Sequence, residues 1–165
     1  MCSSDLYPKT DAAQIQRELQ PVELGKAEIL QWGTDGTILC AGTQLADCQE
    51  AAAQLREEGL EIGVVNARFV KPIDREVIQR ALEETAFVVT VEEGMLMGGF
   101  GSAVLEAANE MQLDASRVHR LGIPDTFVEH GKREELLAEI QIDAQGIAQT
   151  CREAASVAKS KNIVG

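Results

Sequence analysis

Two adjacent carboxylates, Glu92 and Glu93, followed closely by Gly94, Gly98, Gly99 and Gly101, form the segment of this chain with the most chemical content. A carboxylate pair can work as general acid and base when both side chains reach one substrate. Neighbours on an extended strand point to opposite faces, which sets Glu92 and Glu93 apart rather than together. The pattern predicts that one turns inward to accept backbone N–H bonds from the glycine turn, while the other is solvated. Gly99-Phe-Gly101 ahead of a helix invites a dinucleotide reading, but the third glycine of G-x-G-x-x-G is Val104 here and the turn follows a late strand. Helix N-terminal N–H groups attract anions; two carboxylates just upstream would repel one. A close-packed turn is the expectation.

The other reactive residue types are scattered. Asp35, in Gly33-Thr-Asp-Gly36, comes near the Gly-Asp-Gly of diphosphate–magnesium sites, yet lies between two strands with no partner at helical spacing. Ordinary hairpin chemistry accounts for it. His119 falls on a strand and alternates outward; His130 precedes Gly131 in a loop, and neither has a nucleophile nearby. Arg68-Phe-Val-Lys-Pro-Ile-Asp74 is either a site for a carboxylate of a neighbouring domain or a solvated strand end with a helix cap. Cys2, Cys40, Cys48 and Cys151 lack C-x-x-C spacing. They read as reduced thiols, three of them on apolar stretches. No metal site is predicted.

Composition narrows the function classes. A net charge of −12 over 165 residues with 4% aromatics argues against a phosphate backbone or stacked bases as partner. With 45% hydrophobic residues a buried core is affordable without staples. No apolar run approaches the ~20 residues of a membrane span, and no export signal opens the chain. The expectation is a cytoplasmic domain that binds neither nucleic acid nor membrane.

The elements that must position these residues alternate. Lys26–Trp32 and Thr37–Ala41 read as strands joined by the Asp-Gly turn, an opening hairpin. A helix with Leu45, Cys48, Ala52 and Leu55 inward stops at Gly59. The strand Ile62–Ala67 precedes a helix capped by Asp74 with Val77, Ile78, Ala81 and Leu82 inward. The strand Ala86–Val91, the glycine turn, a helix carrying Val104, Leu105, Ala108 and Met111, and a half-exposed strand Arg117–Leu121 come next. Helices over Glu134–Ile140 and beyond Asp143 close the chain. This order predicts a three-layer α/β fold: an open, mostly parallel five-stranded sheet, helices on both faces, one antiparallel edge strand. Residues 1–24 read as a linker, 25–159 as the domain and 160–165 as a tail.

Several motifs occur in a telling order: Tyr7-Pro-Lys9, Leu24-Gly-Lys-Ala27, Ala67-Arg-Phe-Val-Lys-Pro-Ile-Asp74, Val89-Thr-Val-Glu-Glu-Gly94, Gly98-Gly-Phe-Gly-Ser102, Leu121-Gly-Ile-Pro-Asp125, Glu129-His-Gly131 and Ile142-Asp-Ala-Gln-Gly146. Together they resemble the C-terminal domain of 1-deoxy-D-xylulose-5-phosphate synthases, thiamine-diphosphate enzymes of the transketolase superfamily. The resemblance runs from about Tyr7 to Ala158. The family has an arginine before Tyr-Pro, implied to help hold the substrate phosphate; Leu6 stands there, and residues 1–6 match nothing in the family, as a truncation scar or non-native leader would.

What the resemblance implies is an enzyme condensing pyruvate with glyceraldehyde 3-phosphate, with loss of carbon dioxide, for isoprenoid and thiamine precursors. Thiamine diphosphate and Mg2+ would be bound by N-terminal and middle domains, leaving no catalytic residue here. Tyr7 and Lys9 are the substrate-side candidates. Glu92, Glu93, Gly98, Gly99, Phe100, Gly101 and Ser102 are the candidates for contact with the other domains or with a second subunit of a homodimer. The alternatives are a pyruvate dehydrogenase β-subunit or transketolase C-terminal domain, and a stand-alone module that binds an anion or a partner at the glycine turn.

Overall fold

The computed structural model describes residues 21–127 and 131–163. Leu6, Tyr7, Lys9 and His130 lie outside them. The apolar runs of the sequence become five strands: β1 (Glu28–Gln31), β2 (Gly36–Ala41), β3 (Ile62–Asn66), β4 (Phe87–Met95) and β5 (Val118–Ile123). Between and after them lie α1 (Leu45–Glu57), α2 (Arg75–Glu84), α3 (Phe100–Glu110), α4 (Arg133–Glu139) and α5 (Ala144–Ile163). The sheet order is β1-β3-β2-β4-β5. Every pairing is parallel except β1 with β3, as the sequence leads one to expect of an edge strand.

The expected opening hairpin does not form. β1 pairs antiparallel with β3, and β2 lies on the other side of β3. The Gly33–Asp35 segment passes across the N-terminal end of β3 instead of turning back. Gly33 presses on that strand's start, where a Cβ would stand 2.2 Å from the Gly63 nitrogen. Asp35 stitches the crossing: its N–H donates to Glu61 O (3.0 Å), its side chain accepts from Glu61 N (2.8 Å), and its carbonyl accepts from Ala86 N (3.0 Å). Burial supplies the reason. The first five residues of β2 are buried, so it needs a strand on each side, while half-exposed β1 is suited to an edge.

Two apolar layers sandwich the sheet. On one face α1 and α5 cover Ile38, Val64, Val89 and Val91 with Cys48, Leu55, Ile147 and Cys151. On the other α2 and α3 cover Leu39, Val65 and Val88 with Ile78, Leu82, Phe100 and Val104. Each helix end follows local chemistry. Gly59 (φ 83°) closes α1, its N–H donating to Arg56 O and that of Leu60 to Leu55 O, the paired bonds of a Schellman stop. Asp74 caps α2 by accepting from Val77 N, and Asp143 accepts from Gly146 N at the start of α5. Cys40, Cys48 and Cys151 are buried free thiols; burial pushes Cys151 up to about 12 and raises Cys48 as well.

Candidate functional site

In an open α/β sheet, ligands bind outside the carboxyl ends of the strands, where neighbouring connections leave for opposite faces. Here that point lies between β2 and β4. The chain after β2 enters α1 on one face, and the chain after β4 enters α3 on the other. Glu92 and Glu93 stand there, inside β4 rather than beyond it. The strand runs on to Met95, four residues past the expected end at Val91, with its register against β5 shifting between Val91 and Met95. The glycine turn proper is Leu96–Gly99.

Glu92 is 6% exposed and points beneath the turn. Its Oε2 accepts from Phe100 N at 2.7 Å and its Oε1 from Gly101 N at 2.8 Å. Gly99, at the N-cap position of α3, has no side chain to cap it, so Glu92, eight residues before Phe100, does so. Negative charge is favourable at a helix N-terminus. The anion there is the protein's own, as the sequence reading of an inward glutamate anticipates. Gly99 must be glycine for this to fit: a Cβ would stand 2.2 Å from Met95 O and 2.3 Å from Glu92 Oε2.

Glu93 points the other way but is not simply solvated. Arg133, at the start of α4, grips both its oxygens, with Nε 3.0 Å from Oε1 and Nη2 on Oε2. Thr43 Oγ1 donates to Oε2 (2.8 Å), Gln44 Nε2 donates to Oε2 (3.0 Å), and Arg133 Nη2 also reaches Thr43 Oγ1 (3.0 Å). The Arg133 guanidinium, with the amide and hydroxyl donors, holds the carboxyl at about 2. So weak a base takes no proton from substrate near neutral pH. The Glu93–Arg133 ion pair, joined by Thr43 from the end of β2, spans the point between β2 and β4.

The turn has a second brace. Ser102 Oγ donates to Leu96 O (2.9 Å) and accepts from Gly98 N (3.1 Å) and Arg120 Nη1 (3.0 Å), filling all its hydrogen-bonding positions. Arg120 Nη1 also donates to Leu96 O (2.8 Å), and Leu96 N donates to Ile123 O (2.9 Å). Of the contact candidates, Glu92, Phe100 and Gly101 are buried and act from beneath. Glu93 and Gly98 are exposed, and Gly99 and Ser102 are half-buried.

Arg68 holds a carboxylate, but one of its own chain. Its Nη2 is 3.2 Å from Glu28 Oε2, both side chains largely buried, and its Nη1 donates to Pro21 O (3.1 Å). Asp35 is committed to the β3 crossing. His119, half-buried on β5, lines a shallow pocket with Phe87, Ala154 and Val157. Thr43, Gln44, Arg120 and Arg133 are absent from the sequence reading. Arg133 meets Glu93 across 40 residues, and Arg120 sits in an ordinary alternating strand, so no local signal marks them.

The arrangement does not fit a diphosphate with its magnesium. The free N–H groups of α3 that would hold phosphate oxygens are bonded to Glu92, whose charge would repel them. Among the described residues no three His, Cys, Asp or Glu side chains converge on a metal position.

Comparison with known proteins gives the family. Residues 25–147 match the family model for the C-terminal domain of transketolase. The 1-deoxy-D-xylulose-5-phosphate synthase of Rhodopirellula baltica is 54% identical over 150 residues, which is 91% of this chain and 24% of that protein. Synthase 1 of Geobacter sulfurreducens is 46% identical over 144 residues, covering 86% of this chain and 23% of the relative. The chain thus spans about a quarter of the length of these relatives. Among solved structures, a split-gene transketolase, an inactive β4 tetramer, superposes with a TM-score of 0.74 at 33% identity, over 82% of this chain and 44% of that one. A Pichia stipitis transketolase shares the fold, with a TM-score of 0.61 at 18% identity over 81% of this chain and 18% of that one. With three quarters of its length matched by that model and a five-stranded sheet to go with it, the chain belongs to the family of transketolase C-terminal domains, in the form carried by 1-deoxy-D-xylulose-5-phosphate synthases.

Proposed function

We propose that this chain serves as the C-terminal domain of a 1-deoxy-D-xylulose-5-phosphate synthase, and that it completes the subunit without performing chemistry. The supporting observation is the pairing of 54% identity with a site whose carboxylates are both bonded within the chain: Glu92 on α3, Glu93 on Arg133. In the whole enzyme, pyruvate and glyceraldehyde 3-phosphate condense with release of carbon dioxide. Thiamine diphosphate, seated with Mg2+ in the other domains, supplies the stabilised carbanion. This chain's part is mechanical: a stiff turn at the sheet's carboxyl edge, presented to the N-terminal and middle domains of a cytoplasmic homodimer. The rim residues Glu93, Gly98, Gly99 and Ser102 are the contact candidates, with Glu92, Phe100 and Gly101 supporting them. Tyr7 and Lys9 remain the substrate-side candidates.

The experiment is a graft. The last quarter of the Rhodopirellula baltica synthase is replaced by this chain, and pyruvate-dependent product formation and sedimentation are measured. The expected result is an assembled, active graft, an inactive truncated synthase and no turnover from the 165-residue chain alone. Turnover by the isolated chain, or a graft that folds but neither assembles nor reacts, refutes the proposal. Glu93→Lys in the graft is expected to weaken assembly; unchanged assembly removes Glu93 from the contact.

A further inference from the structure

Six of the eight exposed large apolar side chains among the described residues gather at one edge of the sheet. Val70, Met95, Met97 and Phe127 lie at the carboxyl ends of β3, β4 and β5 or on the loops that follow. Val22 and Leu24 lie on the segment entering the domain. That segment is fastened to the same edge, since Pro21 O receives Arg68 Nη1 and Gly25 rests on Pro72. Residues 21–25 therefore enter the domain on the side where the apolar residues are exposed.

Met97 is the singular member of this group. Its side chain is 70% exposed, at the tip of the turn, while the backbone on both sides is fixed. Leu96 is bonded through its N–H to Ile123 and through its carbonyl to Ser102 and Arg120; Gly98 is bonded to Ser102. Gly99 is wedged between Met95 O and Glu92. Ordering a surface loop costs about 1–2 kcal/mol per residue. Here buried or half-buried Glu92, Arg120 and Ser102 are all committed to bracing the backbone that presents this exposed thioether. A backbone fixed in advance loses little freedom on docking, and a methionine side chain adapts to irregular apolar pockets.

We propose that Met97 is the anchor of the domain contact and inserts into an apolar pocket on the upstream part of the synthase subunit. The inference rests on the assembly reading above. The occupant follows from the fastening of residues 21–25 at this edge and from the three quarters of the relatives' length that lie outside this chain.

The test is oxidation of Met97 by a hydrogen peroxide pulse, with sulfoxide located by mass spectrometry. It compares the 165-residue chain with the grafted synthase. Sulfoxide formation is expected to be roughly tenfold slower in the graft, because an inserted thioether is shielded. Met97→Asp is expected to weaken graft assembly by roughly thirtyfold or more, as loss of a central anchor does. Met97→Leu keeps assembly, and neither substitution moves the melting temperature of the 165-residue chain. Equal oxidation in an active graft, or unimpaired assembly of Met97→Asp, overturns the anchor and leaves the assembly reading standing. A graft with the native domain that never assembles overturns both.

Discussion

Replacing Glu92 by alanine tests the central structural reasoning, that a strand carboxylate is the cap of α3. The residue is 6% exposed and accepts Phe100 N and Gly101 N at 2.7 and 2.8 Å. Hydrogen bonds to a charged group contribute about 1.5–3 kcal/mol each, and an unpartnered buried N–H costs about 1–3 kcal/mol. Favourable charge at the helix N-terminus adds about 0.5 kcal/mol. Water entering the vacated space returns part of this, so the net loss for Glu92→Ala is about 3–5 kcal/mol. Domains of this size are stable by about 5–15 kcal/mol, so the loss is a large fraction of the total. It corresponds to a fall of roughly 10 °C or more in melting temperature. Glu92→Gln keeps one acceptor oxygen and sets an amide NH2 against the other N–H, for a loss of about 2–3 kcal/mol. Urea unfolding followed by circular dichroism measures both. Amide exchange should accelerate first at Phe100 and Gly101. A Glu92→Ala protein within about 1 kcal/mol of the native chain would refute the cap, because two orphaned buried donors cannot cost so little.

Other outcomes follow from the same geometry. Gly99→Ala is expected to cost about 3 kcal/mol, since its Cβ meets Met95 O at 2.2 Å. Gly98→Ala, at φ 73° in open space, should cost only about 1–2 kcal/mol; equal losses would show that space does not matter in the turn. Glu93 is held at about 2 against an ordinary 4.5, so its contribution is present above 4.5 and lost as the pH falls towards 2. With the side chain 34% exposed that contribution is about 1 kcal/mol. Arg133→Gln should unfold at lower urea than the native chain at pH 7 and match it near pH 2; a gap constant with pH would contradict the pairing. Cys40, Cys48 and Cys151, buried with Cys48 and Cys151 raised, should resist iodoacetamide in the native chain and react only after unfolding, as mass spectrometry would locate.

The sequence by itself determined the elements and the direction of Glu92. Alternation, helical spacing and glycine stops act over a few residues, so α1 with Leu45, Cys48, Ala52 and Leu55 inward and its end at Gly59 were legible. The opposed faces of adjacent strand residues likewise separate Glu92 from Glu93. The ordered motifs carried the family. The tertiary structure decided what pairs across distance. An Asp-Gly between two strand-like runs favours a hairpin locally, yet β2 needs two buried edges, and β1 was sent to the far side of β3. Glu93 found Arg133 and Arg68 found Glu28 only because the sheet brought residues 40 apart in sequence to one rim. Whether a charged side chain is solvated or paired depends on which other elements close over it, and that is a property of packing that no local pattern encodes.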